Sequence, residues 1–136
     1  MAVIQFEGYE VTQMHYEKNK NFKRPENGKL KIAPLFSVNV EEKNDNESAV
    51  LLSVSLEKGA PFNLQVSIEG LFKYNAEEDK SDFGKNNLFS TNAVAILFPY
   101  LRSCVSALTN LSNDAPALIL PTMNIVELLK KQDMQG

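Results

Sequence analysis

The chain has 136 residues, of which 43% are hydrophobic and 23% charged, and its formal net charge is -3. This length suits one domain with a modest core and is too short for two stable domains. The composition is ordinary for a folded protein. The slightly acidic balance argues against nucleic acid as the main partner, because phosphate contacts need clustered Lys and Arg.

Targeting signals are not expected. No apolar run in the sequence reaches the roughly 18 to 20 residues of a membrane span. The first residues, M-A-V-I-Q-F-E-G-Y, lack a basic region and carry Glu7 early, which is untypical of a signal peptide. A single cysteine, Cys104, excludes an internal disulfide and fits a reducing compartment. We expect a single domain over residues 1–136, in the cytoplasm and without membrane insertion.

A strand and a polar connection come first. Residues Val3–Tyr16 are rich in β-branched and aromatic side chains, and their alternation changes parity at Gly8, which predicts a β-bulge. The polar stretch Glu17–Lys29 predicts a loop, with Phe22 as an aromatic exception. Phe22 is either an anchor beneath the loop or an exposed contact for a ligand.

Three further strands follow. Apolar and polar residues alternate over Leu30–Glu41, Ala49–Glu57 and Phe62–Tyr74. Pro34 has no N–H for a strand ladder, so the first of these should lie at a sheet edge or bulge. The turns between them are short, which predicts an antiparallel meander with one apolar face.

A long helix is predicted over Ala93–Ser112. One side carries apolar residues at helical spacing: Val94, Leu97, Phe98, Leu101, Val105 and Leu108. A surface helix would carry charges on its other side, but here Arg102 is the only charge. We therefore predict that a second subunit covers this side, with an oligomer interface at Ile96, Tyr100, Ser103 and Ala107. Pro99 either kinks or restarts the helix, or lies in the first turn of a helix that begins near Leu97.

The chain closes with a shorter predicted helix. Asn124 followed by Glu127 is typical of a capping box. Ile125, Leu128 and Leu129 then lie on one side of that helix. The fold class is thus α+β: a four-stranded antiparallel meander sheet followed by one long and one shorter helix.

Residues that carry chemistry are sparse. The chain has one histidine, His15, and one cysteine, too few nitrogen and sulfur ligands for a metal site. The acids of residues 75–87 lack the spacing and central glycine of an EF-hand loop. No phosphate-binding loop or nucleophile elbow is present. We predict no enzyme, no metal and no cofactor; a small-ligand binding protein using a cleft between sheet and helices stays open.

Several motifs resemble the SecB export chaperones. The run I-L-F-P-Y-L-R-S-C-V-S-A-L from Ile96 is followed by A-L-I-L-P from Ala117, with G-L-F at Gly70 and Y-E at Tyr16. The order of four strands, a long helix and a shorter one is also similar. The resemblance implies a homotetramer, a dimer of dimers whose long helices lie between two eight-stranded sheets.

The resemblance also implies a function. The family holds unfolded preproteins in apolar grooves during protein export, without ATP and without a catalytic site. By this resemblance the groove residues are the aromatic loop, strand two and the last helix, which here are Phe22, Leu30, Ile32, Ile125, Leu128 and Leu129.

Two departures from the family bear on its partner, the translocation ATPase SecA. The family docks on SecA partly through acids on the outer sheet face, where this chain has Asn63, Gln65 and Ser67 on strand four. It also uses a C-terminal tail, whereas this sequence stops soon after Lys131. We expect weak or no SecA binding. An alternative is a dedicated SecB-like chaperone of an antitoxin in a toxin–antitoxin–chaperone system.

Overall fold

The structure is a computed structural model in which residues 3–23, 33–57, 60–79, 84, 88–111, 120 and 125–129 are described. The strands are β1 (Ile4–Lys18), β2 (Leu35–Glu42), β3 (Glu47–Leu56) and β4 (Phe62–Tyr74). A short 3-10 turn (Ala76–Glu78) follows β4, and a π-helical turn (Phe89–Ala93) leads into helix α1 (Val94–Leu111). Helix α2 comprises residues 125–129.

The predicted fold class is confirmed: a four-stranded antiparallel sheet carries a long and a short helix. The strand order is β1-β4-β3-β2, so β2, β3 and β4 form the expected meander. The meander does not extend to β1, which pairs with β4 instead of β2. Short turns fix only neighbouring hairpin strands, and the connection of residues 19–34 is long enough to cross from one edge of the sheet to the other.

The predicted bulge in β1 is confirmed. Its pairing with β4 shifts register between Phe6 and Gly8, and Gly8 has a φ of 122°, which favours glycine. A second shift lies between Val11 and Gln13. These bulges explain why the apolar side chains of β1 change parity along the sequence yet keep facing one side of the sheet.

Strand β2 lies at the other edge, as Pro34 predicted. It begins at Leu35, after the proline, and not at Leu30. Leu30 and Ile32 lie outside the described residues. The alternating apolar residues of this strand, Phe36, Val38 and Val40, pack on the core, as expected for its apolar face.

The core lies between the sheet and α1. Inward residues of β3 and β4 form its sheet side: Val50, Leu52, Val54, Leu56, Phe62, Leu64, Val66 and Ile68. From α1, Leu97 and Leu101 are fully buried against them. Gly70 permits this close approach, because a Cβ there would lie 2.6 Å from Cδ2 of Leu97.

Helix α1 departs from the prediction at two positions. Thr109 is buried where Leu108 was expected, and Leu108 is half-buried. The Thr109 hydroxyl is satisfied because it donates to the carbonyl of Val105 at 2.9 Å. Pro99 lies inside the helix, which begins upstream of Leu97 and continues past the proline.

By length and composition alone, the helical stretch Thr91–Leu111 could cross a membrane. The sequence-based expectation that no such segment exists therefore does not hold for this helix. Its burial argues for another role, since Val94, Leu97 and Leu101 are fully covered by the chain's own sheet. The same apolarity is expected of a core helix whose second side packs against another subunit.

Candidate binding and assembly surfaces

The outward side of α1 is uncharged and open. Ser103 and Ala107 are exposed, Tyr100 is 38% exposed, and Ile96 is half-buried. Leu111, one turn beyond Ala107, is exposed as well. Within the described residues these side chains are left for solvent, as expected if a second subunit covers them.

A second apolar strip lies beside this helix side, on β1. Val11 pairs in register with Ile68 and Met14 pairs with Val66, and directly opposed residues share one face of a sheet. Ile68 and Val66 are buried beneath the helix, so Val11 and Met14 face the same way. Yet Val11 is 43% exposed and Met14 44% exposed, because α1 does not cover this part of the edge strand.

Aromatic rings connect the two strips. The Tyr100 ring lies 4.6 Å from that of Tyr9 and 5.6 Å from that of Phe6, centroid to centroid. Phe6 in turn lies 5.2 Å from Phe72 of the core. The helix and the strand thus form one apolar surface, here named the α1–β1 surface, comprising Tyr9, Val11, Met14, Ile96, Tyr100, Ser103 and Ala107. Sequence reasoning missed its β1 half, since alternation shows which residues face inward and not whether anything covers them.

The polar groups of α1 do not interrupt this surface. Arg102 donates from Nε to the carbonyl of Leu120 at 2.8 Å, so its guanidinium is held against the following segment. Burial raises the pKa of the half-buried Cys104 thiol, which disfavours its reactive thiolate form.

The residues predicted to bind a client differ in accessibility. Ile125 is only 2% exposed and belongs to the core, whereas Leu128 and Leu129 of α2 are half-buried and keep some accessible area. Phe22 is half-buried in the turn after β1. Leu30 and Ile32 lie outside the described residues. Of the predicted set, Phe22, Leu128 and Leu129 therefore offer apolar area to a partner in this conformation.

The turn that carries Phe22 is fixed by Asn19. The Asn19 backbone N–H donates to the carbonyl of Pro61 at 2.9 Å, and its side-chain amide donates to the carbonyl of Ala60 at 3.2 Å. Its side-chain oxygen accepts from the Asn21 N–H, and its carbonyl accepts from the Phe22 N–H at 3.2 Å. Phe22 therefore has a defined position relative to the sheet.

The outer sheet face is polar and neutral near its centre. The Ser53 and Ser67 hydroxyls are 2.7 Å apart and hydrogen-bonded, and Thr12 donates to the carbonyl of Ser67 at 3.2 Å. Carboxylates stand at one end of the face, where Glu10 lies directly opposite Glu69. The half-buried side chains Asn63 and Gln65 add no charge to β4.

Catalytic or metal-binding constellations are not found among the described residues. No group of three or more His, Cys, Asp and Glu side chains there could hold a metal ion. His15 pairs with Gln65 on the outer sheet face, and its Nε2 lies 3.8 Å from Oε2 of Glu17. Cys104 lies on α1, on the other side of the sheet. The two side chains that could have formed a nucleophile and a base are therefore separated.

Within the described part of the chain, hollows open at the ends and the outer face of the sheet. One hollow of about 540 Å³ is lined mostly by polar residues of two turns and the end of β4, among them Asn46, Lys73 and Glu77. The small-ligand hypothesis required a cleft between sheet and helices, and these hollows lie elsewhere.

Comparison with known proteins places this architecture in a class. No protein-family model and no curated protein matches the chain. Among solved structures, a SecB-like chaperone of Mycobacterium tuberculosis, in complex with a ChAD peptide from the HigA1 antitoxin, superposes with a TM-score of 0.66. The match covers 88% of this chain and 87% of that chain at 19% identity. A Streptococcus agalactiae protein of unknown function matches with a TM-score of 0.52 at 16% identity, over 88% of this chain and 97% of that chain. The chain therefore has the SecB-like fold, as the motifs around Pro99 and Gly70 predicted.

Proposed function

We propose that this protein is a chaperone that binds an extended apolar segment of a partner polypeptide and holds it without ATP, in the cytoplasm. The observation that carries the proposal is the likeness, over 88% of the chain, to a SecB-like chaperone solved with a bound peptide. The structure supports it through partly accessible apolar side chains on α2 and on the turn at Phe22. Burial of such area contributes roughly 25 cal/mol per Å², before the ordering of the client is subtracted.

The client we favour is a single dedicated partner such as an antitoxin, not a range of export preproteins. The similar Mycobacterium chaperone binds an antitoxin peptide. In addition, β4 of this chain presents neutral Asn63 and Gln65 at the positions where the resemblance places acids for SecA docking. Charge complementarity supplies much of the speed and specificity of such docking, so delivery to SecA is disfavoured.

The assembly we propose is a homotetramer, a dimer of dimers joined through the α1–β1 surface. This surface carries no charged side chain, and Tyr9, Val11, Met14 and Tyr100 are each at least 38% exposed. Contiguous exposed apolar patches of this kind mark interfaces between proteins. A second copy that packs its own α1 there would cover both strips in a symmetric contact.

The decisive experiment is a direct aggregation assay. Purified protein should slow the aggregation of a chemically denatured client in the absence of nucleotide, and added ATP should change nothing. A strict requirement for ATP, or no effect at a tenfold excess over client, would contradict the holdase proposal. Co-expression with an antitoxin encoded beside the gene, if one is present, would compare a dedicated client with a general one.

Docking to SecA is tested separately. We expect weak or no binding when the two proteins are titrated at low and at physiological salt. Tight binding that weakens with salt would show that acids such as Glu10 and Glu69 provide the docking charge, and would favour the export role over the antitoxin role.

A further inference from the structure

The turn after β1 is strongly basic in a chain of negative net charge. Lys18, Lys20 and Lys23 place three cations within six residues, while the whole chain carries -3. Lys20 and Lys23 are exposed, and neither has an ion-pair partner among the described residues. By contrast, Lys43 in the β2–β3 turn pairs with Glu41, and Lys73 on β4 pairs with Glu7.

This turn borders an open hollow of about 500 Å³ on the sheet. Its lining combines the turn with β4: Glu17, Lys18, Asn19, Lys20, Asn21 and Asn63. Lys18 and Lys20 are the cations of this lining, and Glu17 is its one acid.

Two features are therefore neighbours along this turn: the exposed ammonium groups of Lys20 and Lys23, and the half-buried Phe22 ring, whose backbone N–H is held by the Asn19 carbonyl. A peptide offers the complement of both. Its carboxylate side chains fit the lysines, and an apolar side chain fits Phe22.

We propose that this basic turn selects client segments in which acidic residues flank an apolar or aromatic residue. The inference rests on the proposed chaperone function and adds to it a preference for negatively charged client segments. A nucleic acid fits less well, because its continuous phosphate backbone would be repelled by Glu17. That carboxylate also reduces the net charge of the lining to that of one cation.

The test uses fluorescently labelled peptides of about 12 residues that share the same four apolar residues. One peptide carries Asp and Glu at the flanks, one carries Lys, and one carries Ser. We expect the acidic peptide to bind about tenfold more tightly than the basic one at low salt, because exposed charge pairs of this kind are individually weak and add up. The preference should shrink at high salt.

The variant that tests the residues is the double change Lys20→Glu and Lys23→Glu. It should abolish or reverse the preference for the acidic peptide while the neutral peptide binds as before. The matched control is Lys43→Glu, the same charge reversal on the far hairpin, which should leave the preference intact. Thermal melts of all variants check folding, and Lys20→Gln with Lys23→Gln provides a milder form of the same change.

Each outcome decides between separate claims. If no peptide binds, the chaperone function itself fails. If all three peptides bind alike, or Lys43→Glu acts as strongly as the turn variant, the function stands and the charge selection is overturned. If a single-stranded oligonucleotide competes as well as the acidic peptide does, the turn is a general anion patch and the proposal is wrong.

Discussion

Placing a carboxylate on the helix side of the α1–β1 surface tests the assembly proposal most directly. Ala107 is exposed on the outward side of α1, one turn from Ser103, and Glu is nearly as good a helix former as Ala. In an isolated subunit, Ala107→Glu should therefore change the free energy of unfolding by no more than a few tenths of a kcal/mol. In an assembly that buries this side, the carboxylate loses its hydration without gaining a partner.

The magnitude of this effect is large enough to read without ambiguity. An unpaired buried charge costs several kcal/mol, and a two-fold interface contains the change twice. About 4 kcal/mol in total raises the dissociation constant roughly a thousandfold, since each 1.4 kcal/mol is a factor of ten. A tetramer that is stable at micromolar concentration would then separate into smaller species.

Light scattering coupled to size exclusion measures the mass over a series of dilutions. The matched control is Asn39→Glu, which adds the same charge at an exposed position on β2. We expect the control to keep the mass of the unmodified protein, and both variants to keep its melting curve. A monomeric unmodified protein, or an Ala107→Glu variant of unchanged mass, would refute the reasoning that ties the uncharged helix side to assembly.

The remaining predictions concern α2, the sheet–helix contact and the thiol. Leu129→Ser should weaken client binding and lower the unfolding free energy by only about 1 kcal/mol, whereas Ile125→Ser, in the core, should lower it by about 3 kcal/mol or more. Denaturant melts and peptide titrations on the same variants separate binding from stability. Equal destabilisation by the two substitutions would contradict a binding role for Leu129. Gly70→Ala should destabilise by about 1–3 kcal/mol because its methyl group would overlap Leu97, and an unchanged denaturation midpoint would show that the contact is loose. Cys104 should react with iodoacetamide more slowly than a free thiol at pH 7, because its raised pKa keeps the thiolate scarce. Its reactivity should rise at a higher pH than that of a free thiol. Rapid labelling at pH 7 would contradict this.

Much of the fold was readable from the sequence because its two periodicities are clear. Alternation predicted one apolar face for β3 and β4, although it did not predict the inward Ser48, and the spacing around Leu97 and Leu101 predicted the buried side of α1. Gly8 marked a bulge and Pro34 marked a sheet edge, because each prediction follows from the backbone chemistry of one residue. Such local signals need no knowledge of the rest of the chain.

The features that the sequence did not reveal depend on distant parts of the chain. The partner of β1 is β4, and a long connection leaves that choice open in the sequence. Thr109 is buried because its hydroxyl can bond to the Val105 carbonyl, which hydropathy does not record. The exposure of Val11 and Met14 is decided by how far α1 reaches across the sheet, which no spacing encodes.

The apolar area of this protein divides into two kinds that should behave differently. On the α1–β1 surface the exposed residues carry no charge, and the tilted rings of Tyr9 and Tyr100 pack through Phe6 onto the buried Phe72. Such a continuous surface favours one permanent partner of matching shape, which the proposed second copy of the chain would supply. On the turn at Phe22 and on α2, by contrast, the apolar side chains are half-buried, and on the turn lysines stand beside them. A small apolar contact with charges at its rim favours a partner that binds and leaves, as the proposed client must.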